Sequence, residues 1–264
     1  MERETVGEIC LRRADLRYVV CLASRQGYMA SVLAQWNLEA RIFPAVGKAD
    51  LNLEALRREG FISEDCDCTP GEIACFRSHW KIWNEFLAST AENCLILEDD
   101  LCPPSDGESG VLAFRLQSAW TRLPPDYDLF YLGRGNDNRC LARRLGAHLV
   151  STRHSGCTHA YLISRSGAEK LLCLPPMRNL AVDQMIQRSC RIRAINAYAV
   201  TPPVFFQNRA EQSSTLGRKN RFWGIAGSNR PLSEYTAYSR ILYYGAYLIA
   251  FIAMASLVAI LLLP

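Results

Sequence analysis

Short strand-like runs alternate with helical patterns along most of the 264-residue chain, and this alternation limits the fold more than any other feature. Strands are predicted by the runs RYVVCLAS, ARIFPAVG, CLILEDD, YDLFYLG and THAYLIS, and two more β-runs lie in AINAYAVTPPVFFQ. Helical patterns separate several of them, at residues 28–38, 51–59 and 111–123. This alternation predicts an α/β layered fold with a largely parallel sheet.

The helix in TPGEIACFRSHWKIWNEFLAST has the clearest local signals. Thr69 suits the N-cap position, Pro70 suits the first helical position, and Glu72 completes a T-x-x-E capping box. Apolar residues at helical spacing predict its buried face: Ile73, Phe76, Trp80 and Trp83. A later helix is predicted to begin with Ser166 as its N-cap.

The stretch NCLILEDDLCPP carries an apolar run directly into three acids. The run CLIL is too continuously apolar for a half-exposed strand, which predicts a central position in the sheet. Glu98, Asp99 and Asp100 would then lie at the carboxyl end of that strand, where open α/β sheets bind ligands. Carboxylate oxygens suit Mn²⁺ or Mg²⁺, and such an ion carrying a diphosphate would offset their mutual repulsion. The alternative is a solvated acidic turn.

Composition narrows the range of functions. The net charge of +4 is too small to indicate binding of nucleic acid. Eleven cysteines are scattered along the chain, and the first residues are polar and charged, so we expect a reduced, intracellular protein. The C-x-C pair Cys66 and Cys68 is a weak zinc signal, and a plain loop is the preferred interpretation.

Residues 241–263, ILYYGAYLIAFIAMASLVAILLL, contain no charged residue. A helix of this length would span about 35 Å, enough for the hydrocarbon core of a bilayer. Three tyrosines at its start suit a membrane interface, and Arg240 flanks the same side. We therefore expect a single-pass C-terminal tail anchor, a basic juxtamembrane segment at 218–240 and a cytoplasmic catalytic domain. The alternative is an apolar helix folded onto the domain.

Several segments, in their order and spacing, resemble glycosyltransferase family 25: GEIACFRSHWKIW, LILEDDL, DLFYLG, THAYLISRSGAEKLL and AVDQMI. The runs VVCLASRQGYMASVLAQWN and RIFPAVGKADL are similar to the family's first strand and helix and its following strand. That family includes bacterial lipooligosaccharide galactosyltransferases and collagen hydroxylysine galactosyltransferases. The resemblance predicts a glycosyltransferase domain at 17–217, after an N-terminal extension at 1–16.

The resemblance implies a GT-A-like nucleotide-sugar-binding fold. It also implies transfer of a hexose, galactose being the first candidate, from UDP-galactose to a hydroxyl of a glycan or of a glycosylated lipid or protein, with inversion. The implied cofactor is Mn²⁺ or Mg²⁺. By matching positions, Glu98, Asp99 and Asp100 would bind the metal and the diphosphate.

Further site residues follow from the same resemblance. Those expected to bind the donor are Arg25, Ser78, His79 and Asp99. Asp183 is the expected catalytic base toward the acceptor hydroxyl, and Glu72 is the alternative. The residues taken alone allow plainer interpretations, in which Glu72 caps a helix, His79 packs in the core and Asp183 begins a helix.

Two departures from the family pattern support a different hypothesis. Ala74 replaces a usual glycine, and Arg25 is followed by Gln26-Gly27 where more basic residues are expected. The alternative function is therefore a catalytically degenerate, membrane-anchored family member that acts as a binding or scaffold protein. A metal-dependent phosphoesterase ranks third, because the sequence lacks a second cluster of histidine and aspartate ligands.

Overall fold

The computed structural model describes residues 4–105, 107–135, 141–173 and 180–208. Within them, eight strands form one sheet: β1 (Leu16–Cys21), β2 (Arg41–Pro44), β3 (Asn93–Glu98), β4 (Leu129–Gly135), β5 (Ala142–Arg144), β6 (Leu149–Thr152), β7 (Gly156–Ser164) and β8 (Ala197–Val200). Their order across the sheet is β2-β1-β3-β7-β4-β8-β6-β5. Strand β3 is therefore central, as its apolar run predicted.

Helices cover both faces of the sheet: α1 (Val6–Arg13), α2 (Gln26–Gln35), α3 (Leu53–Arg58), α4 (Pro70–Leu87), α5 (Ser109–Trp120), α6 (Arg165–Leu172) and α7 (Val182–Arg191). Helices α1, α2 and α5 contribute to one buried apolar cluster. Helices α3, α4, α6 and α7 contribute to the other. The mixed α/β class is therefore confirmed, with a core on each side of a central sheet.

The sheet is mixed, so the expectation of a largely parallel sheet was wrong. Strand β1 is parallel to β2 and β3, and β4 is parallel to β8. Strand β7 lies between β3 and β4 and is antiparallel to both, and the β8-β6-β5 edge is antiparallel as well. Only residues 145–148 join β5 to β6, and a connection this short does not make the crossover that a parallel neighbour requires.

Two local predictions are corrected. The N-cap of α6 is Ser164, whose side chain accepts a hydrogen bond from the Gly167 amide, whereas Ser166 donates its hydroxyl to Asp128. The second run in AINAYAVTPPVFFQ forms only an isolated bridge between Gln207 and Leu101. In contrast, the predicted capping box at Thr69 is present. Its hydrogen bonds join residues only three positions apart, so the local sequence is enough to predict it.

The N-terminal extension contains helix α1, which the sequence analysis did not predict. Thr5 and Glu8 form a capping box at its start, and the last turn contains Arg12 and Arg13. Val6 and Ile9 are buried in the same apolar cluster as α2 and α5. This segment therefore contributes to the core of the domain.

The predicted membrane anchor is corrected. No helix in the described part of the chain is long and apolar enough to cross a bilayer. Residues 241–263, on which the prediction rested, lie outside the described residues, as does the segment 218–240. The structure therefore does not support a tail-anchored protein with a cytoplasmic catalytic domain.

Asp128, next to the start of β4, is a buried carboxylate, with 1% of its surface exposed. It accepts hydrogen bonds from the Lys170 ammonium at 2.8 Å and from the Asn196 amide at 2.7 Å. Asp128→Ala should lower the free energy of unfolding by about 2–3 kcal/mol, since the Asn196 donor would lose a charged acceptor. Urea denaturation measures this free energy of unfolding.

Asp126→Ala is the control, because Asp126 is an exposed neighbour of Asp128. It should change the free energy of unfolding by less than about 0.5 kcal/mol. Equal losses in the two variants would contradict the prediction.

Candidate active site

Glu98 and Asp99 diverge at the carboxyl end of β3. Successive side chains of a strand point to opposite faces of the sheet. Cys94 and Ile96 are buried on the α4 side, and Glu98 continues on that side. Leu95 and Leu97 are buried on the α2 side, and Asp99 follows them there. Adjacent acids thus meet different partners, which reduces the repulsion expected from the sequence.

Glu98 is held by two donors on one oxygen. Its Oε1 accepts from the Thr158 hydroxyl at 2.6 Å and lies 3.1 Å from His79 Nε2. Burial raises the pKa of Glu98, whereas the hydrogen bonds from His79 and Thr158 lower it, and the net direction is down. The side chain keeps 19% exposure. Glu98 is therefore an ionised carboxylate, and no described residue donates to its Oε2.

His79 lies behind Glu98, on the buried face of α4. It has no exposed surface, and its Nδ1 lies 2.8 Å from the Tyr161 hydroxyl. The Trp83 indole N–H donates to the same hydroxyl oxygen at 3.0 Å. The structure thus places His79 in contact with Glu98 rather than at the surface of the site.

Asp99 holds the loop that follows β1. Its Oδ2 accepts from the Leu22 amide at 2.7 Å, and its Oδ1 accepts from Arg25 Nη1 at 2.8 Å. Because β1 and β3 are parallel, their carboxyl ends meet at one edge of the sheet, which brings Arg25 to the acidic triplet. The two side chains are only 13% and 12% exposed, so the pair is largely shielded from water.

Asp100 points toward the end of the described chain. Its Oδ2 accepts from Gln207 Nε2 at 2.9 Å, and its carbonyl oxygen accepts from the Asn208 amide at 2.6 Å. The Leu101–Gln207 bridge adds to this contact. The three acids are therefore each oriented by a different part of the fold.

Asp183 lies in the first turn of α7 and contacts the start of β7. Its Oδ1 accepts from the Gln184 amide at 2.8 Å, and its Oδ2 accepts from the Cys157 amide at 3.3 Å. Cys157 has a φ of 64°, in the left-handed region that residues other than glycine seldom adopt. Cys157 thus binds Asp183 while the next residue, Thr158, binds Glu98.

The thiol of Cys75 shows that these acids surround a common region. Burial raises its pKa well above the ordinary value. Negative charges on four carboxylates raise it further, those of Glu98, Asp183, Asp100 and Asp99. Asp183 and Glu98 lie far apart in the sequence, but they are bound by the adjacent residues Cys157 and Thr158. A region this negative favours a bound cation.

Ser78 and Glu72 have structural contacts. The Ser78 hydroxyl is buried, donates to the Ala74 carbonyl at 2.9 Å and accepts from the Val46 amide at 2.9 Å, which fastens the loop after β2 to α4. Val46 also lines a cavity of about 420 Å³ at that end of β2. Glu72 Oε2 accepts from the Thr69 amide at 2.8 Å, as a capping residue does.

The site offers two sets of possible metal ligands. The Cys75 thiol, His79 and Glu98 have one ligand atom each within 4.8 Å of one another, but both His79 nitrogens are already hydrogen-bonded. The triplet offers hard carboxylate oxygens, which Mn²⁺ and Mg²⁺ prefer. Both oxygens of Asp99 already accept hydrogen bonds, from the Leu22 amide and from Arg25, so Asp99 is satisfied within the protein. The expectation that Glu98, Asp99 and Asp100 together hold a divalent ion stays a prediction.

Sequence reasoning missed the residues that orient the acids: Trp83, Cys157, Thr158 and Tyr161. Their signal was weak. Trp83 appeared only as an apolar residue of α4, and Thr158 and Tyr161 only as part of a predicted strand. Their contacts with the site depend on the antiparallel placement of β7 beside β3.

Comparisons with known proteins relate the sequence to one family. Residues 15–107 match the family described as "Glycosyltransferase family 25 (LPS biosynthesis protein)". The chain is 32% identical over 225 residues to "Glycosyltransferase 25 family member" of Aedes aegypti, covering 80% of this chain and 33% of the relative. It is 30% identical over 176 residues to human "Procollagen galactosyltransferase 2", covering 61% of this chain and 28% of the relative.

A bovine relative, "Probable inactive glycosyltransferase 25 family member 3", is 30% identical over 187 residues, which cover 65% of this chain and 31% of the relative. The chain spans about a third of the length of these curated relatives. The resemblance to glycosyltransferase family 25 is therefore confirmed: the chain contains a family 25 domain sequence and is related to curated members of that family.

Proposed function

We propose that this chain is an active glycosyltransferase that moves a hexose from a nucleotide sugar to a hydroxyl acceptor. The observation that carries the proposal is the geometry at Glu98: a carboxylate at the carboxyl end of a central strand, with Oε1 held by His79 and Thr158 and with no described donor on Oε2. Galactose from UDP-galactose is the first donor to test. The acceptor would be a glycan or a glycosylated lipid or protein, and the fold would be of the GT-A type.

The triplet would hold a divalent ion next to the diphosphate of the donor. Bound Mn²⁺ or Mg²⁺ would supply positive charge to the leaving nucleoside diphosphate. Glu98 would offer Oε2, and Asp100 a second carboxylate oxygen. Arg25 would stay on Asp99 and keep the loop after β1 in place, at the edge where the donor is expected.

Asp183 would act on the acceptor. As the acceptor oxygen forms its bond to the anomeric carbon, the bond from that carbon to the diphosphate breaks, and the hydroxyl proton passes to Asp183. One displacement of this kind inverts the anomeric centre. Glu72 is the alternative base. Its Oε2 accepts from Thr69, and both oxygens of Asp183 accept from backbone amides, so Asp183 is preferred for its match to the family motif and not for its hydrogen bonding.

The experiment is a donor panel with the full chain. UDP-galactose, UDP-glucose and UDP-N-acetyl sugars are each incubated with Mn²⁺, and release of UDP is measured with and without simple sugar acceptors. We expect release with at least one donor and its loss when EDTA removes the metal. The absence of release with every donor, from a folded protein, would contradict the proposal.

A second candidate is a catalytically degenerate family member that binds a ligand without turnover. The largely shielded pair of Asp99 and Arg25 favours it, because Arg25 already occupies one of the proposed metal ligands. Curated relatives that are named inactive favour it too. Calorimetry with UDP and the same sugars distinguishes the two, since a binding protein would retain affinity without releasing UDP.

A further inference from the structure

A line of hydrogen bonds connects the interior of the sheet to Glu98. The Tyr161 hydroxyl lies 2.8 Å from His79 Nδ1, and His79 Nε2 lies 3.1 Å from Glu98 Oε1. The rings of Tyr161 and His79 are stacked, with centroids 5.7 Å apart. His79 is fully buried, and among the described residues its ring nitrogens have these two hydrogen-bond partners, which determine which nitrogen carries the proton.

Trp83 determines which groups donate and which accept at the Tyr161 hydroxyl. An indole N–H is only a donor, and it lies 3.0 Å from the Tyr161 oxygen. Burial raises the pKa of Tyr161 well above its usual range, more than the Trp83 bond lowers it, so the phenol keeps its proton. That proton points to the remaining partner, His79 Nδ1, which therefore accepts.

We propose that His79 is a positioning residue, with its proton fixed on Nε2 by Tyr161 and donated to Glu98. Thr158 donates to the same Glu98 oxygen at 2.6 Å. His79 and Thr158 therefore both hold Oε1, and Oε2 is the oxygen that would bind a ligand. The role of Glu98 toward a metal rests on the proposed function. The position of the His79 proton does not.

Metal binding by His79 is the competing use of the same group. The potential ligand atoms of Cys75, His79 and Glu98 lie within 4.8 Å of one another. A metal on Nε2 would move the proton to Nδ1, so the Tyr161 oxygen would face two donors. Its own hydrogen would then have no acceptor among the described residues. An unsatisfied buried donor is costly, which favours the positioning role.

Nuclear magnetic resonance of the histidine rings tests the proton position without any substrate. The chain has four histidines, and loss of one set of signals in His79→Gln identifies those of His79. Long-range ¹H–¹⁵N correlation distinguishes a protonated ring nitrogen from an unprotonated one. We expect the proton on Nε2 of His79 in the wild-type protein. A proton on Nδ1 would overturn the proposal.

Paired variants test the positioning effect on the metal site. Tyr161→Phe removes the group that orients His79, and we expect Mn²⁺ affinity, measured by electron paramagnetic resonance, to fall by about 10–100-fold. Tyr18→Phe is the matched control, because this buried tyrosine donates to Glu85, away from the site. Equal Mn²⁺ affinity in Tyr161→Phe and wild type would overturn the proposal.

Substitutions at His79 separate positioning from packing. Glutamine at position 79 can still donate to Glu98, whereas leucine of similar volume cannot. We expect His79→Gln to bind Mn²⁺ more tightly than His79→Leu, and equal affinities would overturn the proposal. If the wild type releases no UDP from any donor, the proposed function fails, while the ring signals and Mn²⁺ affinities still decide the inference about His79.

Discussion

Replacing Glu98 with glutamine is expected to lower sugar transfer by about 10²–10⁴-fold, because a metal acting on a leaving group is typically worth several kcal/mol. The shape of the side chain is retained. His79 and Thr158 can still donate to the amide oxygen, while the open oxygen is replaced by an uncharged NH₂ group. The measurement is UDP release with the preferred donor, alongside Mn²⁺ affinity, and both should fall together.

Glu85→Gln is the matched control for this prediction. Glu85 also belongs to α4, but its carboxylate accepts from Tyr18 at 2.9 Å and from Arg41 at 2.8 Å, and among the described residues it has no hydrogen bond with the triplet. Transfer by Glu85→Gln should stay near the wild-type rate. If Glu98→Gln retains both transfer and Mn²⁺ affinity, Glu98 is not a metal ligand and the acidic triplet needs another explanation.

Asp183→Asn is expected to reduce turnover by about 10²–10⁴-fold, the usual contribution of a general base. The amide keeps the size of the carboxylate but has no basic oxygen for the acceptor proton. Donor affinity should change little, because the donor is expected at the triplet and not at α7. Single-turnover transfer and calorimetry with UDP give the two quantities separately.

Asp126→Asn serves as the control, since Asp126 is exposed and contacts only the Asn196 side chain among the contacts seen in the structure. Turnover that survives in Asp183→Asn would remove Asp183 as the base. A collapse of donor binding with it would assign Asp183 to the donor instead. In either case Glu72→Gln is the next variant to measure.

Sequence-based prediction succeeded where a signal is local. The capping box at Thr69 and the apolar run of β3 each lie within a few residues, and the structure contains both. The direction of β7 was not predictable in this way, because it depends on which strands neighbour it in the sheet. Ser166 was mistaken for the N-cap because the same rule fits Ser164, two residues earlier.

The candidate site shows the same limit. The acids of the triplet were visible as a run of charge at the end of β3. Their partners were not, because Thr158 and Arg25 lie 60 and 74 positions away from the acids they contact. Their contacts follow only once the strand order is known. The opposite orientations of Glu98 and Asp99 follow from strand geometry once a helix is assigned to each face.

The two acids proposed for catalysis share one short piece of backbone. Cys157 binds Asp183 and Thr158 binds Glu98, and the α-carbons of neighbouring residues are about 3.8 Å apart in any trans peptide. The two anchoring points, a backbone N–H and a side-chain hydroxyl, therefore lie on adjacent residues at the start of β7. Their separation depends on the few torsions between them, so Asp183 and Glu98 are linked through β7 and not only through α7 or α4. Insertion of a single residue between positions 157 and 158 would alter that separation at once.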